Sequence, residues 1–377
     1  MIVALVAIAL AVLSGVLYLK YRLPNPPDRE NLEVALDAEM KKWLHRGLSY
    51  GLVIGVFKDN KSFIKGYGSV TRESNTTPTS TTIFEIASIT KLFTASTLQV
   101  LCDKGDLRLD STLGEQMRHT VLSPAVKEVT LLQLATHRSG FPAFPKEYLR
   151  RIPDTDNISR DFTLNDLYAY LANPSEKREP GRFEYSNFGA GLLGHVLTLS
   201  TGKSYQEVVT GTLLEPLGMT GTFVTSKEAY AYDIAQGYSM NGRPAKLLDW
   251  SGGALEGAGA LKSSAHDMVL FIKANVEDDG SPISTSLKKP HEPQFDGTTA
   301  IGWLLPGFLD RLMGNSSVLW HNGLTPGYAS YIVIDPQHKT GLVLLSNKST
   351  DLRMPGILLM RLLRTQSWAP SQPSRSP

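Results

Sequence analysis

Cysteine is almost missing from this 377-residue chain. Cys102 stands alone, so no disulfide can form within it. The fold must hold through its own core, and 42% hydrophobic residues supply enough for one or two domains. An excess of either charge is missing as well. The formal net charge is +2 and no long basic run occurs, which removes the electrostatic footprint of a nucleic-acid binder. The chain has no internal repeat, no G-x-S-x-G elbow and no H-E-x-x-H helix. Ser200-Thr-Gly202-Lys203-Ser204 ends like a phosphate loop, yet the glycine needed five residues before Gly202 is Leu197.

Charge is also lacking from Met1 to Leu19, an apolar run followed at once by Lys20 and Arg22. A helix of that length approaches the roughly 30 Å hydrocarbon core of a bilayer. No cationic start and no A-x-A-like site mark it for cleavage, so an uncleaved single-pass anchor over residues 1–22 fits better than a signal peptide. Lys20 and Arg22 favour a cytoplasmic main domain. The chemistry below suits an extracytoplasmic one, which is the expectation adopted. Residues 23–30, with Pro24, Pro26 and Pro27, read as a linker, and 366–377 as a Pro- and Ser-rich disordered tail.

Between them, residues 31–365 read as one domain. Leu32, Leu36, Met40, Trp43 and Leu44 form a helical stripe closed by Gly47. Gly51–Phe57 and Ser62–Gly68 flank Lys58-Asp-Asn-Lys61 as a β-hairpin, and Tyr328–Ile334 and Leu342–Ser346 form a second near the other end. Helical stretches fill residues 88–290. The expected fold is therefore α+β, of α/β sandwich type. An antiparallel sheet is formed from both chain ends and flanked by helices, with a mainly helical subdomain inserted.

Three short motifs carry chemistry. In Phe84-Glu-Ile-Ala-Ser88-Ile-Thr-Lys91, a helix starting at Ser88 puts Ser88 and Lys91 on one face. A serine hydroxyl needs a neighbouring base or a positive field, and a buried lysine supplies either. Taken alone, Ser88 reads equally as a helix cap. Tyr185 and Asn187, two residues apart in a Gly-flanked turn, offer a phenol that moves protons if cations lower its pKa, and an amide that orients lysine or substrate. His321 and Gly323 follow Trp320: a donor or positive charge, then a residue small enough for a substrate backbone to approach. His137, His195 and His266 read as structural.

S-x-x-K, Y-x-N and H-x-G, in this order, resemble the three motifs of the serine β-lactamase, penicillin-binding protein and DD-peptidase superfamily, most of all its class C and esterase branch. Leu131–Pro142, Glu215–Met219 and Gly257–Met268 add to the resemblance, which spans roughly residues 30–350. It implies that Ser88 is acylated, that Lys91 activates it and that Tyr185 is the general base. Asn187 would hold the network and the substrate, and the N–H groups of Ser88 and Leu324 would form the oxyanion hole. No metal or organic cofactor is implied. His321 stands where many members carry the lysine of K-T-G, the cation that holds a substrate carboxylate. Histidine is only partly charged near neutrality, so ester, amide or D-amino-acid peptide hydrolysis gains over β-lactam hydrolysis. The literal Lys339-Thr340-Gly341 reads as a turn between strands. The expected partner is a small-molecule or peptide acyl substrate, with the membrane through the N-terminal helix and no nucleic acid. A silent binding or scaffold protein on the same fold is the alternative.

Overall fold

The computed structural model describes residues 31–151, 162–225, 233–250, 252–295 and 297–368. Its centre is a five-stranded antiparallel sheet in which the two ends of the chain interleave. Lys61–Gly68 lies at one edge, followed by Gly51–Lys58, Thr340–Ser346, Ala329–Asp335 and, at the other edge, Leu319–Leu324. Strands from near residues 51–68 and 319–346 thus form one sheet, with the helical stretch between them, as the strand patterns implied.

Alternation along the strands explains what covers each face. Leu52, Ile54 and Val56 join Tyr331, Val333, Leu342 and Leu344 in a core under the terminal helices Leu32–His45 and Arg353–Thr365. Val53 and Phe57 join Ile332, Ile334, Val343 and Leu345 on the other face, under the Ala265–Val276 helix. A strand covered on both faces reads as an unbroken apolar run, which is why GLVIGVF was recognisable.

Two glycines let that helix come close. A Cβ at Gly55 would stand 2.6 Å from Val269 Cγ2, and one at Gly341 would stand 2.7 Å from Ile272 Cγ2. Both lie on the face with Val53 and Val343, so together they shape the groove in which the helix lies.

The inserted helices build a separate core around Leu134, Phe141, Phe188, Leu192 and Val196. The Thr90–Asp103 helix belongs to both: Leu92 and Phe93 face the sheet-side core, while Ala95 and Leu98 face the helical one. Every residue from Thr90 to Leu101 is buried. The helix is buried all round although Thr90, Lys91, Thr94, Ser96, Thr97 and Gln99 lie in that stretch, and it runs along the seam between the two cores.

The membrane expectation is corrected. Among the described residues no helix is long and apolar enough to cross a membrane. Asn187–Thr201 has 15 residues and, at 1.5 Å per residue, spans about 22 Å of the roughly 30 Å required. The single-pass, extracytoplasmic placement therefore has no support, and Met1–Leu19 and the 23–30 linker lie outside the described residues. Residues 366–368, assigned to the tail by composition, are ordered: the Trp368 indole N–H donates to Lys58 O at 3.1 Å.

Filling the groove tests this packing. Gly55→Val is expected to destabilise the protein by about 1–3 kcal/mol, as overpacking does, read as a lowered urea midpoint. An unchanged midpoint would show that the helix does not depend on the glycine.

Candidate active site

The chain reaches the site through strand Ile83–Glu85, which pairs with Lys262–Ser264, and turns into the Thr90–Asp103 helix. Between them Ala87–Ile89 forms a single 3-10 turn. Ala87 adopts φ +48°, a left-handed conformation that a Cβ disfavours. The surroundings hold it there. Ser330 Oγ donates to Ile86 O at 2.8 Å. On the edge strand, a Cβ at Gly323 would collide with Ile86 O and lie 3.0 Å from Ala87 Cβ. The space left by the missing side chain of Gly323 is therefore taken by the turn that carries Ser88. The sequence reading had given it to substrate.

Lys91 lies one helical turn beyond Ser88, and its side chain is buried. Its Nζ is 3.0 Å from Ser88 Oγ, 2.9 Å from Asn187 Oδ1 and 2.7 Å from Ala258 O. No carboxylate is among these partners. Burial without a counter-charge lowers the lysine pKa to about 7. A neutral amine has two N–H groups and one lone pair. The Asn187 and Ala258 oxygens can only accept, so they take the two N–H groups. The lone pair is left facing the one partner able to donate, the Ser88 hydroxyl.

The carbonyl of Ala258 was not foreseen. It comes from the short helix Glu256–Gly259, which packs on Asn187–Thr201 through two glycines; a Cβ on Gly194 would stand 2.8 Å from Gly257 Cα. Gly257 O also accepts from Thr94 Oγ1 at 2.8 Å, so this helix is docked on the lysine helix at successive carbonyls.

Asn187 is the first residue of its helix, whose cap is Ser186. Gly189 N–H donates to Ser186 Oγ at 2.8 Å, and that hydroxyl donates to Pro142 O at 2.7 Å. Tyr185 precedes the cap, with Lys91 Nζ 5.0 Å from its ring centre. Burial raises the Tyr185 phenol to about 12, although a hydrogen bond with Ser88 acts in the opposite direction. The expected lowering by cations is absent, because the one ammonium nearby is itself driven towards neutrality.

His137, read as structural from the sequence, belongs to this site. Its ring lies 4.5 Å from that of Tyr185, its Nδ1 accepts the Ser186 N–H at 3.2 Å, and its backbone holds φ +58°. Burial, then the Lys91 and His321 charges, keep it well below the usual histidine range. It supports the Tyr185–Ser186 backbone as a neutral ring. Its segment, Leu131–Pro142, was among the stretches that carried the resemblance.

His321 lies on the edge strand Leu319–Leu324 with its ring centre 6.3 Å from that of Tyr185. Its Nδ1 is 2.8 Å from Asn322 O, and its buried Nε2 has no hydrogen-bond partner among the described residues. Burial foremost, and Lys91 next, lower its pKa to about 3, against a smaller upward effect of the Asn322 carbonyl. Leu324 ends this strand, one residue beyond the Gly323 contact with the Ser88 turn. Lys339 instead sits at φ +46° in the turn after Pro336–His338, at the far end of the hairpin. Gly202 terminates the Asn187–Thr201 helix in a left-handed conformation and Ser204 caps the next, which accounts for the phosphate-loop look-alike. Ser88, Lys91, Tyr185, Asn187, His321 and Gly323 are thus gathered at the seam between the sheet and the helical core.

A family model described as Beta-lactamase matches residues 36–364. Relatives named Beta-lactamase from Lysobacter lactamgenus and Psychrobacter immobilis are 25% and 26% identical, over 87% and 92% of this chain and 90% of each relative. Among solved structures, a class C beta-lactamase aligns with a TM-score of 0.76 at 23% identity, covering 89% of this chain and 96% of that one. The beta-lactamase/D-alanine carboxypeptidase from Pseudomonas syringae aligns with a TM-score of 0.75 at 24% identity, covering 89% and 99%.

The state of the buried amine can be measured. In protein labelled at lysine Cε, the Lys91 resonance, assigned with Lys91→Met, is expected to titrate near pH 7. A midpoint near 10 would mean that the amine stays charged and that the lone-pair argument fails.

Proposed function

Because the chain belongs to the beta-lactamase family and is a β-lactamase-related hydrolase, we propose that it works through an acyl-enzyme formed on Ser88. The observation that carries this reading is the Lys91 amine. Its two N–H groups are committed to obligate acceptors, and its lone pair lies 3.0 Å from the Ser88 hydroxyl.

In the proposed reaction Ser88 Oγ gives its proton to neutral Lys91 and attacks the acyl carbon. The N–H groups of Ser88 and Leu324 receive the developing oxyanion; each such donor is typically worth about 3 kcal/mol. The proton then passes from the Lys91 ammonium through the Tyr185 hydroxyl to the leaving group, whose bond to the acyl carbon breaks. Lys91 is neutral again. A water gives it a proton and attacks the acyl carbon. The bond from that carbon to Ser88 Oγ breaks as Oγ takes the proton back from Lys91, releasing the carboxylic acid. Asn187 holds Lys91 throughout, His321 is assigned to the substrate side, and Gly323 makes room for the turn that carries Ser88. The sequence reading made Tyr185 the general base. With the phenol at about 12 and the amine at about 7, the amine is the better acceptor near neutrality, and Tyr185 serves as the relay.

Three results are expected. A fluorophosphonate probe should label the folded protein, and Ser88→Ala should abolish labelling; no labelling of folded wild type would favour the scaffold alternative. The reactive form is the neutral amine, so kcat/KM should rise with pH through about 7 and fall tenfold per unit below it. A profile already flat from pH 5 would remove Lys91 as the base. Tyr185→Phe should lower kcat on an ester by about 10²–10⁴-fold, the usual range for a lost proton-transfer group, without unfolding the protein. Near-wild-type turnover would sink the relay.

A further inference from the structure

Away from Ser88, a cavity of about 260 Å³ opens beside the Asn187–Thr201 helix, and none of the residues gathered at Ser88 lines it. Most polar side chains along its wall are already engaged. His195 Nε2 lies 2.8 Å from the Tyr168 hydroxyl, and the Thr198 hydroxyl donates to His195 O at 2.7 Å. The Ser204 hydroxyl donates to Glu207 at 2.7 Å, and the Tyr205 hydroxyl stands 2.7 Å from Thr94 Oγ1. Two groups of opposite charge are left over. Glu256 accepts the Gly252 N–H through Oε1 at 2.7 Å, while its Oε2 has no hydrogen-bond partner among the described residues and stays open to solvent. Lys203 is exposed, and its ammonium makes no hydrogen bond among the described residues. We propose that this cavity is a second binding site, for a small zwitterion: an amino acid whose ammonium meets Glu256 and whose carboxylate meets Lys203.

Size and wall chemistry narrow the ligand. Clefts for drug-sized molecules run from about 300 to 1,000 Å³, so this one suits a single amino acid rather than a peptide. Leu164, Ala254 and the Tyr205 ring form the apolar part of the wall, which matches an aliphatic side chain. Burial foremost pushes the Glu256 carboxyl up to about 7, with the Asp249 charge acting in the same direction and the Gly252 N–H against it. An ammonium bound at Oε2 supplies the counter-charge that the fold withholds. The cavity is also joined to the lysine helix. Tyr205 and Gly257, both in its wall, bond to Thr94 Oγ1, and the next residue, Ala258, holds Lys91. An occupant therefore braces the short Glu256–Gly259 helix. Binding here does not require that Ser88 be acylated.

The test is a chemical-shift titration of the isotope-labelled protein at about pH 8, where a carboxyl with a pKa of about 7 is ionised. The probes are L- and D-leucine and two singly charged analogues: 3-methylbutylamine, which lacks the carboxylate, and 4-methylpentanoate, which lacks the amine. One enantiomer of leucine is expected to bind in about the millimolar range, which is open to a ligand of so few atoms. It should move the amides of Gly252, Gly253 and Ser204 and bind at least about tenfold tighter than either analogue, the effect of one hydrogen bond to a charged group. Glu256→Gln, whose amide oxygen can still accept the Gly252 N–H, is expected to bring leucine down to the affinity of 4-methylpentanoate. Lys203→Met, at an exposed position, is expected to bring it down to that of 3-methylbutylamine. Ser88→Ala is expected to leave binding unchanged. No binding of either enantiomer at about 10 mM, analogues that equal leucine, or an affinity that survives both Glu256→Gln and Lys203→Met overturns the site. Binding lost in Ser88→Ala puts the ligand in the Ser88 cleft and overturns it too.

Discussion

A lysine amine buried without a carboxylate is the constraint around which this protein is arranged. Desolvation opposes its charge, and what remains tolerable is a neutral amine with each hydrogen-bonding direction used. Three separate parts of the chain supply the partners: the turn at Ser88, the first residue of the Asn187–Thr201 helix and the carbonyl of Ala258. Displacing any one either lets water in, which returns the lysine toward an ordinary cation, or leaves a buried N–H unpaired, which costs stability. The environment of Ser88 and Lys91 and the packing of the two cores are therefore one problem.

The same burial acts in opposite directions on the neighbours. It raises the Tyr185 phenol and lowers His137 and His321, so these three neighbours are held in their neutral forms near pH 7 while Lys91 stands near its midpoint.

Much of this was legible in the sequence. Gly51–Lys58 stood out because both its faces are buried, and Ser88 and Lys91 stood out by helical spacing. The rest depends on contacts distant in sequence. Alanine gives no sign of the left-handed backbone at Ala87, where Ser330 and Gly323 close on the turn from two strands more than two hundred residues away. Ala258 acts through its carbonyl, and a backbone group leaves no side-chain signature. Burial lowers Lys91 as expected, but it also raises Tyr185, where nearby cations had been expected to lower it. His137 was read as structural, and its role is to support the backbone at Tyr185–Ser186, a position in the site that its sequence neighbours did not reveal.

The contact between Gly194 and Gly257 has a further consequence, for how the chain can change over time. A crowded pair of side chains usually drifts by exchange, one shrinking as the other grows. Here both partners are already the smallest residue, and a Cβ on either would come within 2.8 Å of the Cα of the other. No exchange of volume is open to them. The seam that brings Ala258 to Lys91 is thus a point where the sequence has no neighbouring solution. Variation must go around it, into loops and surface faces, while these two positions stay as they are.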